Sequence, residues 1–413
     1  MQFTRFRSFN FLLFALFVAL TVYPKQVYSY GPLAHQTLLD AAWPGTIEPF
    51  LLNRYPEANQ QQLLEAHAYA YGGSVIHDLG YFPYGGELYS ELVHYVRSGD
   101  FIVALFEEAT TINELAFAIG AMSHYYGDRF GHPVATNPAV GLLYSDTAQT
   151  CYHAYTYHDN ELAHLKTELG FDMLLLARGH YAPDVFRNFT GFKIAKSSLA
   201  RAFERTYGIP LHSQFLNLNL SLMLYRKTMK TYFPKITRIA WQVKHVESTE
   251  APTQYRYLYK GWAYNVDKPE LNERIIAAGL RVAPKFGPLQ PLAYKVPTPQ
   301  TELLFNESFD LTLQQFHLGL SHAQLAALHL PNTGLDNGIH IRPGQYLPTD
   351  ETHLELLKEL HKHKYKMLTP ALKTYLLWFF ENPEKLLWEE GDKKEKELEK
   401  QQQYLTELKA WQK

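Results

Sequence analysis

Residues 123–133 read SHYYGDRFGHP, and three side chains with metal-binding chemistry recur there at every fourth position: His124, Asp128 and His132. On an α-helix, positions four apart drift only slowly around the axis, so all three can project to one side. The preceding run INELAFAIGAM, residues 112–122, spaces its apolar residues by three and four, which predicts a helix leading into the motif. Two imidazoles and a carboxylate so placed suit a borderline metal such as zinc. Chance is the first competitor. With 19 His and 41 acidic residues in 413, the chain holds three His-xxx-Asp/Glu pairs: His124/Asp128, His164/Glu168 and His180/Asp184. About two such pairs are expected at random, but only about 0.1 of the His-xxx-Asp-xxx-His triple. The triple carries the information.

Composition sets the frame around it. Charged residues are 19% and aromatics 15%, a globular profile. A net charge of −2 supplies no general basic field for nucleic acid or an anionic membrane, so no stable nucleic acid partner is expected. Cys151 is the one cysteine, so a fold resting on intrachain disulfides is excluded. The N-terminus reads as a secretory signal over residues 1–29. Arg5 and Arg7 precede the apolar run FLLFALFVALTV, Phe11 to Val22, then Pro24, then Val27 and Ser29 before a cut at Tyr30. No later stretch reaches 18 apolar residues, so the protein is not expected to be integral to a membrane but secreted or periplasmic.

From Tyr30 to about residue 245 the apolar spacing is helical, interrupted by the Gly- and Pro-bearing GYFPYGGELYS, residues 80–90. Residues 246–300 are Pro- and Tyr-rich and are expected to hold any short strands, with Pro284 to Pro299 as an extended connection. Helical spacing returns over 301–413, where Thr369 and Pro370 make a helix start. The charged tail, striped by Leu398, Leu405 and Leu408, reads as a solvated terminal helix. The expected fold is all-α: a multi-helix bundle with an additional, mainly helical C-terminal region.

Other candidate ligands flank the triple. Asp78 and then His94 lie upstream; His164 and Glu168, one helical turn apart, lie downstream. Carboxylates and imidazoles on several helices of one bundle can hold more than one metal. This ordered set resembles the zinc-dependent phospholipase C and single-strand nuclease superfamily. The run AFAIGAMSHYYGDRFGHPVATN, residues 116–137, looks most like the phospholipase branch. The four-residue step from Asp128 to His132 also resembles the catalytic domain of glycosylphosphatidylinositol-specific phospholipase D.

The resemblance implies a trinuclear zinc site in residues 30–245. One Zn2+ would take Asp78, His94, His124 and Asp128; a second His132, His164 and Glu168. The third would take the amine and carbonyl of Tyr30 with His35, Asp128 bridging. Family members usually start with Trp, and Tyr30 departs from that. His153 and His158 compete with His164 for the second ion. His77 competes less well because it neighbours Asp78, and His180/Asp184 encloses Pro183.

The implied activity is a zinc phosphodiesterase hydrolysing phosphatidylcholine-like glycerophospholipid at a membrane surface, with Asp78 as catalytic residue orienting or deprotonating the attacking water. Tyr81, Phe82 and Tyr84 are expected to line a pocket for a quaternary ammonium group. A single-strand nuclease, a phospholipase D and a non-catalytic, zinc-stapled binding protein are the competing readings. Structural zinc sites are usually rich in cysteine, which no candidate here is.

Overall fold

The computed structural model describes residues 30–82, 84–144, 155–177, 191–244, 271–285, 287–325, 327–381, 386–387 and 394–412. The proposed signal, His153 and the His180/Asp184 pair lie outside the described residues. Among the described residues there is no strand, only one isolated antiparallel bridge between Thr333 and His340.

The first helices are α1 (Pro32–Ala42), α2 (Glu48–Arg54), α3 (Gln60–Gly73), α4 (Glu87–Tyr95) and α5 (Ser98–Glu107). Then come α6 (Ile112–Gly131), α7 (Asn137–Tyr144), α8 (Glu161–Ala177), α9 (Lys196–Tyr207), α10 (Leu218–Lys227) and α11 (Phe233–Lys244). The C-terminal region contributes α12 (Leu271–Val282), α13 (Pro299–Leu325), α14 (Leu347–Lys362), α15 (Pro370–Phe380) and α16 (Lys394–Ala410).

Helix α6 is the axis of the molecule. It starts where the Thr111 hydroxyl accepts from the Glu114 N–H at 3.2 Å, and every residue from Leu115 to Asp128 is buried. A helix apolar on all sides must be surrounded, and α6 packs against α3, α5 and α13. Its contact with α3 is backbone against backbone. A Cβ at Gly120 would lie 2.0 Å from the carbonyl oxygen of Ala70, which no side-chain rotation can move. Gly120→Ala gains helix propensity of about 1 kcal/mol but must push the two helices apart, so a net loss of about 2 kcal/mol is expected in denaturant unfolding. A variant as stable as the parent would show that the helices part freely.

One apolar cluster runs from Tyr30 to Leu408, so the C-terminal helices share the core of the N-terminal bundle. Helix α13 lies on α6 and α1. Residues 271–282 of the Pro/Tyr-rich stretch are helical, and residues 246–270 lie outside the described residues. Two expectations for this half need correction. The connection from Pro284 to Pro299 contains a 3-10 turn, Gly287–Ala293, and Pro299 opens α13, because proline's fixed φ suits both. The tail helix α16 is docked, not solvated on all sides: Leu408 is buried, and Glu407 meets His361 of α14 at 2.6 Å. The Thr369 cap and Pro370 start of α15 are as expected, the threonine hydroxyl accepting from Leu372 N–H.

Candidate metal centre

His124 and Asp128 sit on the last two turns of α6, side by side, with His124 Nε2 at 3.0 Å from Asp128 Oδ2. After Gly131 the chain widens into one π-helical turn, His132–Thr136, so His132 is displaced toward α8. There its ring lies 4.9 Å from that of His164. Asp78 comes from the 3-10 turn Ile76–Tyr81, His94 from the last turn of α4, His35 from α1, and His164 and Glu168 from α8. All these side chains are buried.

The structure brings the eight side chains into three groups, each with ligand atoms within 4.8 Å of one another: His35/His124/Asp128, Asp78/His94/His124 and His132/His164/Glu168. His124 belongs to two of them. Asp128 meets His35 at 3.2 Å and His94 at 3.3 Å, so its carboxylate joins the first two groups.

Hydrogen bonds around the ligands identify which nitrogens carry protons. His94 Nδ1 donates to the Ser90 carbonyl at 2.7 Å, and His124 Nδ1 to the Ser74 carbonyl at 2.9 Å. A carbonyl can only accept, so in the neutral rings both Nε2 atoms present lone pairs. Those two atoms lie 3.5 Å apart and both face Asp128 Oδ2. His164 follows the same logic with the ring reversed. Asn137 Nδ2 donates to the Asp336 carbonyl at 2.8 Å, so Asn137 Oδ1 accepts from His164 Nε2 at 2.7 Å. That leaves a lone pair on His164 Nδ1, 2.9 Å from Glu168 Oε1. Lone pairs and carboxylate oxygens converging in a buried place call for a cation between them. This donor set, nitrogen and carboxylate oxygen without sulfur, fits zinc.

Electrostatics reinforces the fit. Burial, then the His124 charge, pushes His35 down to about 4, and burial pushes His164 down to about 3. Burial, with the His164 charge, also holds His132 well below the ordinary imidazole range. These rings are neutral near pH 7, the form that binds metal. Burial alone would raise Asp128, but His124, His35 and His94 outweigh it and hold the carboxyl well below its usual value. Asp78 is pushed the other way by burial, well above the carboxylate range, against the pull of His94.

The remaining candidates separate cleanly. His77 belongs to none of the three groups; its ring stacks on His124 at 4.2 Å, while His35 stacks on the opposite side at 4.1 Å. Two parallel imidazoles therefore clamp the His124 ring. His158 is exposed on the turn Tyr157–Asp159 and is not a competitor for the site of His164. Of the three aromatics expected to line a pocket, only Tyr81 borders the centre, 6.3 Å from the His94 ring. Phe82 packs edge-on against Tyr225, and Tyr84 is half exposed.

Tyr30 is fully buried. Its ring lies against Gly131 of α6 and 5.4 Å from Phe305, and its hydroxyl meets Ser308 Oγ at 2.5 Å. Helix α1 then starts under the carboxylate of Asp172, which accepts from the N–H groups of Leu33 at 3.3 Å and Ala34 at 3.1 Å. Sequence reasoning passed over Asn137, Asp172 and Asp336. Asn137 lies inside the quoted motif run, but its role depends on partners from α8 and from the C-terminal region.

Residues 34–217 match the family model described as zinc dependent phospholipase C. All eight side chains of the three groups fall within that span. No curated protein and no solved structure matches the chain. No helix among the described residues is long and apolar enough to cross a membrane. The stretch that matches the zinc-dependent phospholipase C model is thus the one that carries the buried His/Asp/Glu centre.

Proposed function

We propose that the protein is a secreted metallophosphodiesterase with three zinc ions, hydrolysing glycerophospholipids of the phosphatidylcholine type to diacylglycerol and a phosphorylated head group. The convergence of lone pairs and carboxylates in three adjoining groups carries this reading. Asp78, His94, His124 and Asp128 would hold one ion; His132, His164 and Glu168 a second; His35, Asp128 and the main-chain amine and carbonyl of Tyr30 a third. Zinc bound there supplies a water that ionises near neutral pH and positive charge for the phosphate oxygens.

The protein's own groups do the rest. Neither carboxylate oxygen of Asp78 has a hydrogen-bond partner, and burial makes the group more basic than an ordinary carboxylate. It is placed to accept the proton of the attacking water. Attack on phosphorus breaks the bond to the glycerol oxygen, which leaves as diacylglycerol after taking up a proton. The His35–His124–His77 stack and the Ser74, Ser90 and Asn137 acceptors hold the imidazoles in one orientation through this step.

Mass spectrometry of products from mixed phospholipids and single-stranded DNA tests the reading. Diacylglycerol with phosphorylated head group is expected, abolished by a chelator and restored by zinc. Phosphatidic acid would mean cleavage on the other side of phosphorus, nucleotides would mean a nuclease, and no product at all would leave a zinc-stapled binding protein.

A further inference from the structure

The segment from Leu330 to Tyr346 lies beyond residues 34–217 yet borders the metal groups. Leu335 N–H donates to the His94 carbonyl at 3.1 Å, and the Asp336 carbonyl accepts from Asn137, the residue that holds His164. Ser98 Oγ donates to the Thr333 carbonyl at 2.6 Å and Tyr125 to the Pro331 carbonyl at 2.7 Å, so the segment is tied to α5 and α6 as well.

This places one carboxylate in an unusual setting. Asp336 is wholly buried; its Oδ2 accepts from the hydroxyls of Tyr346 and Tyr95, while its Oδ1 has no hydrogen-bond partner. Among the described residues no Lys or Arg pairs with it. Burial pushes the carboxyl up to about 7, and the charges of His94 and Asp128 also act on it. Tyr81 supplies a second, independent orphan: its hydroxyl is shielded from solvent with no partner, and its ring borders that of His94. Tyr95 borders the same ring at 6.1 Å and lies edge-on to Tyr346 at 5.9 Å.

A buried acceptor without a donor is costly unless a ligand satisfies it. Here two such atoms are linked to the His94 ring by its tyrosine neighbours, one on Tyr81 itself and one on the carboxylate that Tyr95 holds, and tyrosine rings also attract cations. The matching ligand brings N–H donors and positive charge. We propose that Asp336 Oδ1 and the Tyr81 hydroxyl receive the primary ammonium of an amino-alcohol phosphate head group. The proposal rests on the phospholipase reading but replaces its phosphatidylcholine-type head group. A trimethylammonium has no N–H to offer these two atoms, so an ethanolamine-type head group is preferred over a choline-type one.

The test uses the full chain and soluble diesters that share a leaving group: p-nitrophenyl phosphorylethanolamine, p-nitrophenyl phosphorylcholine and ethyl p-nitrophenyl phosphate. A hydrogen bond to a charged group is worth about 1.5–3 kcal/mol, so Asp336→Asn should lower the ratio of kcat/KM for the ethanolamine diester over the ethyl diester by about tenfold or more. Tyr81→Phe should lower the same ratio and serves if the Asp336 variant does not fold. A ratio unchanged in the variants, with all diesters affected alike, overturns the subsite. Wild-type preference for the choline diester also counts against it. If the wild type cleaves none of the diesters, the phospholipase reading fails, and calorimetry decides the subsite alone. Phosphorylethanolamine should then bind wild type about tenfold tighter than the Asp336→Asn protein; equal binding overturns the proposal.

Discussion

Replacing His124 with alanine is expected to abolish phosphodiester hydrolysis and to remove more zinc than replacing His164. The reason is its double membership. His124 stands in both the His35/His124/Asp128 and the Asp78/His94/His124 groups, whereas His164 stands in one. Its removal also takes the middle ring from the stack between His35 and His77 and leaves Asp128 without its nearest imidazole. Losing several kcal/mol of metal-borne transition-state stabilisation corresponds to a rate loss on the order of 10³-fold or more. Metal analysis by mass spectrometry should find about three zinc ions in the mature parent, about one in His124→Ala and about two in His164→Ala. Secretion of both variants should persist. Full activity in His124→Ala, or less than about one zinc in the parent, would refute the assignment.

A protein carrying even one residue before Tyr30 is expected to lose the third ion and most activity. A free amine has a lone pair to give a metal, and an amide nitrogen does not. Tyr30 cannot simply swing aside to make room. Its ring is wedged between Gly131 and Phe305, its hydroxyl is held by Ser308, and Asp172 pins the first turn of α1 just beyond it. The position of the main chain is thereby set by side-chain packing. Loss of a direct ligand should lower that ion's affinity by more than the about 10–100-fold that losing an outer-shell partner costs. N-terminal sequencing of the secreted protein should begin at Tyr30. A form extended by Ser29 should contain one zinc fewer than the mature form, while Tyr30→Phe, which keeps the amine, should not. Equal zinc content and rate in the extended and mature forms would remove Tyr30 from the site.

Much of the centre was legible because helical periodicity is a local property. The four-residue steps His124/Asp128 and His164/Glu168 place each pair on one face of a helix whatever the rest of the fold does. Both pairs meet within about 3 Å in the structure, at 3.0 and 2.9 Å. His132 shows the limit. Its spacing continues the same face, yet a π-helical turn carries it to α8 and into a different group. His77, argued against as a ligand by its adjacency to Asp78, belongs to none of the three groups, although the 3-10 turn buries it against the His124 ring. The aromatic run 81–84 was read as one lining, but its members divide between site, core and surface according to neighbours far away in the chain.

The sequence by itself determined the all-α class, the long buried helix through the motif and the identity of the eight side chains that gather there. The class and the helix follow from residue type and a period of 3.6, which neighbours in the chain impose on one another; His35, Asp78 and His94 joined the set through the family resemblance. Only the tertiary structure decided how those eight divide into three groups, which imidazole nitrogen faces inward, and that Asn137 and Asp336 stand behind them. Those outcomes depend on carbonyls and hydroxyls contributed from positions far apart, such as Ser74 to His124 and Asp336 to Asn137. No spacing rule relates such residues, because only the packing of helices against one core brings them into hydrogen-bond distance.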